Sequence, residues 1–294
     1  LRKSRKVGTE LMKSHALLAS LLATGLVLSG CGADKTSTEK ESAEAVAPID
    51  LQQETDAYKQ FALEQMDQFV VETDKFVSAV KEGRIEDAKA IYPLARMYFE
   101  RSEPIAESFG DLDPRIDARL ADLEDEGQGE EQWSGYHKIE YGLWVDNTTE
   151  GYEEIADQLL KDAKELRARV ETVEVGPDLM ITGAVDLLNE VSTSKITGEE
   201  EIFSHTDLYD FKANVEGAEE IFHIFEAVIK QKDAQLATDL TNKFSTLNGL
   251  LAKHEDGNGG YISYKELTKE DTKQLAEAVN QLGEPLSMMG IVME

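Results

Sequence analysis

Large apolar side chains recur every three or four positions along most of this chain, and that spacing limits what it can fold into. Over residues 51–82 they fall at Tyr58, Phe61, Ala62, Met66, Phe69, Val70, Phe76, Val77 and Val80. A strand needs alternation with a period of two; a period near 3.6 lays one apolar stripe along one face of a helix. No segment carries a convincing run of alternation. Gly83 ends the first stripe. A second helix is predicted over about 85–109, kinked or broken at Pro93 and Pro104. Loop-like sequence with a short helix after Pro114 leads to "WSGYHKIEYGLW" (133–144), which reads as three helical turns. Further helices are predicted near 150–172, 178–195, 206–232, 234–253 and 265–282. The break at 173–179 divides the chain. The expected fold class is all-α: two packed antiparallel four-helix bundles, one over about 51–172 and one over about 178–294.

The first fifty residues follow different rules. Residues 1–30 read as a signal peptide: basic side chains, the apolar run "HALLASLLATGLVLSG" (15–30), then Cys31, the single cysteine. That run is short for a membrane span. Ser29 and Gly30 complete a lipoprotein cleavage box, "LSGC". Cys31 is therefore expected to be acylated and to become the mature N-terminus, held on the membrane surface without crossing it. Met12 reads as a natural start, which would make residues 1–11 an upstream extension. Residues 31–50 are small and charged, a flexible tether beneath a helical domain spanning 51–294. The predicted location is extracytoplasmic, anchored to the cell membrane by lipid.

Charge narrows the partners. Asp and Glu number 59 against 30 Lys and Arg, for a net −29. Phosphate backbones are repelled, which excludes nucleic acid, while cations are drawn in. Composition alone favours an acidic, solvated surface over a cation-binding role.

Three clusters refine that choice. His137 and Glu140 stand one helical turn apart, on one face, where an imidazole and a carboxylate can share an ion. A structural hydrogen-bonded pair is the alternative. Arg96, Glu100, Glu103 and Glu107 are spaced four, three and four, which lines them along one face, with Asp111 and Asp113 in a turn beyond. Like charges in a row need solvent, an arginine or a metal. Oxygen donors suit magnesium, calcium, manganese or iron; an imidazole tilts the set toward iron, manganese or zinc. In the third cluster His205 precedes a helix carrying Asp207, Asp210 and Asn214 on one face; Ser204 or Thr206 as N-cap with Asp207 in the first turn explains Asp207 without a ligand. His223 reads as a core histidine, and His254 as part of an exposed turn. "EDGNGGYISYKE" (255–266) lacks side-chain oxygens where a calcium loop needs them. Tyr141 follows Glu140, so the second histidine of a zinc-peptidase helix is missing.

"WSGYHKIEYGLW", "ERSEPIAESFGDLDPRIDAR" and "HTDLYDFKANVEGA" together resemble the imelysin-like domain of EfeO/EfeM iron-uptake proteins. The resemblance implies two four-helix bundles with a metal site in the cleft between them. It places metal ligands at His137, Glu140, Glu100, Glu103 and Asp113, with Glu107, Arg96, His205 and Asp207 auxiliary. Iron is the implied ion, with zinc or manganese possible, and an iron permease and a haem peroxidase are the implied partners. Between Cys31 and Leu51 there is no room for the cupredoxin domain that EfeO-type proteins often carry, so the chain is expected to be EfeM-like. A non-enzymatic iron-capture role follows, with an HxxE metallopeptidase or a metal-free helical surface module as alternatives.

Overall fold

The computed structural model describes residues 49–293; the signal sequence, Cys31 and the tether up to residue 48 lie outside the described residues. Among the described residues, eleven α-helices run from α1 (Gln52–Lys81) and α2 (Ile85–Glu100) through the short α3 (Glu103–Ala106), α4 (Asp113–Asp117), α5 (Leu120–Asp125) and α6 (Gly135–Tyr141). Then follow α7 (Glu153–Thr172), α8 (Pro177–Thr193), α9 (Asp207–Lys232), α10 (Ala234–Leu251) and α11 (Lys269–Met293). Among the described residues the one β pairing is an isolated bridge between Glu255 and Tyr261. The all-α expectation holds.

The stripes read from the sequence are the buried faces. In α1, Tyr58, Ala62, Met66, Phe69, Phe76, Val77 and Val80 are all buried. Two hydrophobic cores result. One is built mainly on α1, α2, α6 and α7 and holds Phe69, Phe76, Tyr92, Phe99, Tyr136 and Leu166. The other is built on α8 to α11 and holds Leu188, Phe211, Phe222, Phe225, Phe244 and Leu282, with Tyr58 from α1 joining it. Helix α2 also packs along α9. At their crossing Gly217 is required: a Cβ there would lie 2.5 Å from the Arg101 carbonyl oxygen.

Two helices depart from their predicted bounds. The helix expected over 85–109 breaks after Glu100, and Pro104 sits in the first turn of α3, where a missing N–H costs nothing. Pro93 lies inside α2 without ending it. Helix α11 continues past residue 282 because Leu286, Met289 and Met293 extend its buried stripe through Pro285. Two histidines exchange places with expectation. His223 points outward, its side chain 50% exposed beside Glu219, while His254 is buried. The turn at 255–260 is closed by Asp256 Oδ1, which accepts from the N–H groups of Asn258 (2.7 Å) and Gly260 (3.0 Å). No described helix is long and apolar enough to cross a membrane.

Candidate metal centre

Helix α6 is fixed at its start by backbone contact. Gly135 has φ +79°, and a Cβ would lie 2.2 Å from the Ile116 carbonyl oxygen, so only glycine lets α6 sit against α4 here. Tyr136 enters the core, where its hydroxyl pairs with Thr73 Oγ1 at 2.7 Å. The next residue, His137, then turns into the interior with Glu140 one turn on, both fully or almost fully buried. Beyond Tyr141 the helix widens to a π-turn over Gly142–Asp146, a departure often found beside functional sites.

The imidazole of His137 has carboxylates at both ring nitrogens. Nδ1 lies 3.1 Å from Glu140 Oε2. Glu140 is held in turn by its Oε1, which accepts from the N–H groups of Phe203 (3.1 Å) and Ser204 (2.7 Å). Nε2 is buried without a hydrogen-bond partner, and the nearest acid, Asp117 Oδ1, stands 3.7 Å away. Donor atoms of His137, Asp117 and Glu200 all lie within 4.8 Å of one another, and so do those of His137, Glu140 and Glu201. Tyr92 joins the inner group: its hydroxyl donates to Glu201 Oε1 at 3.2 Å and lies 3.4 Å from His137 Nδ1. Glu201 Oε2 accepts from Ser204 Oγ at 2.7 Å. That hydroxyl, expected to cap α9, is spent on the cluster instead; neither Ser204 nor Thr206 caps the helix through its side chain.

Behind this ring lies a web of fixed charges. Arg96, 1% exposed, bonds Glu100 Oε1 at 2.7 Å and pairs with Asp117. Its Nε lies 2.7 Å from Glu201 Oε1 without hydrogen-bond alignment, so that contact is one of charge. Lys195 reaches Glu100 Oε2 at 2.7 Å and Glu103 Oε2 at 3.4 Å. Asn214 Nδ2 donates to both of those carboxylates, at 3.0 and 2.8 Å. Glu100 and Glu103 are thus gathered on Lys195 and Asn214, one layer away from the imidazole.

Electrostatics follow from burial. Burial and the nearby Arg96 charge push the His137 pKa down to about 4, so the ring is neutral at pH 7 with a lone pair to offer. Burial raises Asp117 to about 6, against the pull of Arg96. Glu140 is raised by burial, and Glu201 well above the usual range by burial and by Glu140. Glu100 is the exception: burial opposes ionisation, but Lys195 and Arg96 hold its pKa at about 2. Glu103 and Asp210 have longer contacts, to Lys195 at 3.4 Å and to Arg96 at 3.5 Å; burial outweighs these cations and pushes both acids well up. A site that leaves buried carboxylates short of counter-charge favours an added cation.

Two cavities reach the cluster. One of about 260 Å³ is lined by Glu103, Asp113, Asp117, Asp122, Glu126, Glu190 and Glu200, with Arg119 their one cation. Another of about 450 Å³ is lined by Trp133, His137, Glu140, Glu200, Ile202 and Phe203. Asp113 therefore stands in the antechamber. Glu107 falls in a 3-10 turn, and its side chain lies outside the described residues. His205 adopts φ +61° ahead of α9 and belongs to neither ligand group. Asp207 accepts the Glu201 N–H at 3.1 Å and so anchors the loop that carries Glu200 and Glu201.

Sequence reasoning missed Tyr92, Asp117, Glu200, Glu201 and Lys195. The acidic triplet Glu199–Glu201 has the composition of a solvated loop, yet Glu200 and Glu201 are buried. Asp117 sits within "DPRIDAR" at the end of α4, four residues past Asp113. Each ligand group contains one histidine only, which is a poor match to the two-histidine helix of zinc peptidases.

A family model described as Imelysin, under a peptidase label, matches residues 54–289. An "Efem/EfeO family lipoprotein" of Staphylococcus haemolyticus is 51% identical over 282 residues, covering 93% of this chain and 98% of that protein. A protein of the same description from Staphylococcus aureus is 52% identical over 261 residues, covering 88% of this chain and 90% of its own length.

Proposed function

Because this chain belongs to the imelysin family and is similar along nearly its whole length to Efem/EfeO lipoproteins, we propose that it is a lipid-anchored, extracytoplasmic protein that captures iron at His137 and passes it to a membrane permease. The observation that carries this reading is the His137 ring: buried, neutral, with Nε2 unpartnered and acids at both nitrogens. Asp117 and Glu200 hold the ion at Nε2. Glu140 accepts the Nδ1 proton and fixes the ring, the arrangement common to metal-binding histidines. Zinc and manganese would fit the same donors. Glu100, Glu103 and Arg96 set the charge behind the ligands, and Asp113 belongs to the acidic approach.

The lipoprotein relatives and the "LSGC" box together support acylation of Cys31 and a position on the extracytoplasmic face of the cell membrane. The role is carriage, not catalysis: one histidine per ligand group supplies no peptidase set. A haem peroxidase of the same uptake system is the expected further partner.

Calorimetric titration of the full chain with iron, beside His137→Ala, tests this. The unmutated chain should bind, and the variant should lose roughly a hundredfold or more in affinity. Equal binding by the two would remove the site.

A further inference from the structure

The inner side of the imidazole holds a group that iron capture at Nε2 does not use. Tyr92 is fully buried among Phe76, Tyr136 and Trp144, with ring centroids 5.8, 5.7 and 5.3 Å away. A phenylalanine would make the same ring contacts, so packing does not account for the hydroxyl. That oxygen is 3.2 Å from Glu201 Oε1 and 3.4 Å from His137 Nδ1, and Nδ1 is 3.1 Å from Glu140 Oε2. Adjacent ligand atoms on an octahedral ion with bonds of about 2.0–2.1 Å stand roughly 2.8–3.0 Å apart. The four donors are therefore linked by spacings within a few tenths of an ångström of those one ion imposes.

We propose that Tyr92 is an iron ligand: an ion on the inner side of His137 is held by Nδ1, Glu140, Glu201 and the Tyr92 oxygen, and the phenolate selects ferric iron. This deepens the reading of the preceding subsection and rests on it. A phenolate is a hard, anionic donor, which favours Fe(III) over Fe(II) and zinc; tyrosine serves iron in the same way in catalase. The protons balance. In the metal-free chain Tyr92 bears its hydroxyl proton and His137 carries one at Nδ1. When the ion binds, the ring proton moves to Nε2, facing Asp117, and the phenol proton leaves to solvent together with whatever proton burial holds on Glu140 and Glu201. No electron is transferred. The two positions share one ring, so an ion entering at Nε2 has a second, more selective seat behind it.

The test uses the full chain with ferric citrate and, separately, zinc. Phenolate-to-Fe(III) charge transfer gives a visible absorption band that carboxylate and imidazole ligands do not. The unmutated chain should show the band on adding ferric iron, and so should Tyr136→Phe, whose hydroxyl faces Thr73. Tyr92→Phe should lose the band, and its ratio of ferric to zinc affinity should drop roughly tenfold or more. Ferric binding without a band, a band that survives Tyr92→Phe, or an unchanged ratio overturns the proposal and leaves the His137 site standing. Failure of the unmutated chain to bind either metal overturns both.

Discussion

At the scale of single residues the chemistry turns on which groups keep their charge. His137 takes up a proton only near pH 4, whereas burial raises Asp117 to about 6. Between pH 6 and 4, then, protons compete with iron for Asp117 and not for the imidazole. Iron affinity should fall by up to about tenfold per pH unit as the pH drops below 6. Asp117→Asn should bind more weakly at pH 7 and show a shallower profile between pH 5 and 6, the raised Glu140 and Glu201 carrying the slope that remains, read by titration at each pH; an unchanged slope would exclude Asp117 as a ligand. The pairing of His137 with Glu140 was legible because i and i+3 on a helix need no tertiary knowledge. Asp117 and Glu201 were not, because their roles depend on which way α4 and the 194–206 loop fold back. Arg96 shows the same limit. Its helical neighbour Glu100 was visible by spacing, but its contacts with Asp117, Glu201 and Asp210 link residues up to 114 positions apart.

At the scale of elements, positioning depends on close backbone approach. Gly135 carries α6, and with it His137, against the carbonyl of Ile116. Gly135→Ala would add a Cβ into that contact at positive φ, costing about 1–3 kcal/mol. The variant should keep its helical circular dichroism, melt at lower temperature, and lose most iron affinity because His137 is displaced. Normal binding by a folded Gly135→Ala would show that the anchor is not needed. The existence of the long helices was readable, since an apolar stripe is a local property; the short α3 and α5 carry too few residues for a stripe and were not separated out. Helix ends were less readable. The last helix was expected to end near 282, but continued burial of Leu286, Met289 and Met293 against the second core carries it through Gly283 and Pro285. The loop between α8 and α9 hid most: nothing in "TSKITGEEEIFSHT" announces that Lys195, Glu200 and Glu201 turn inward.

At the scale of the whole molecule, a net charge of −29 and the acid-lined cavity beside Asp117 and Glu200 define an approach for cations. Attraction of this kind acts on the association rate and weakens with salt. Raising ionic strength should slow metal association, measured by stopped flow, more than it speeds dissociation. Replacing Asp113 and Glu126 with their amides should reduce that salt dependence. A rate indifferent to salt would remove the antechamber's role. The resemblance carried by three separated motifs reached the family; the sharing of one buried ring between two sets of acids emerges only from the fold.

The most direct test is a crystal of the chain grown or soaked with iron, measured at the iron absorption edge. The account predicts a strong anomalous peak within bonding distance of a ring nitrogen of His137, with Asp117 and Glu200 or Glu140 and Glu201 completing it. Iron bound elsewhere, with the imidazole still unligated, would contradict it.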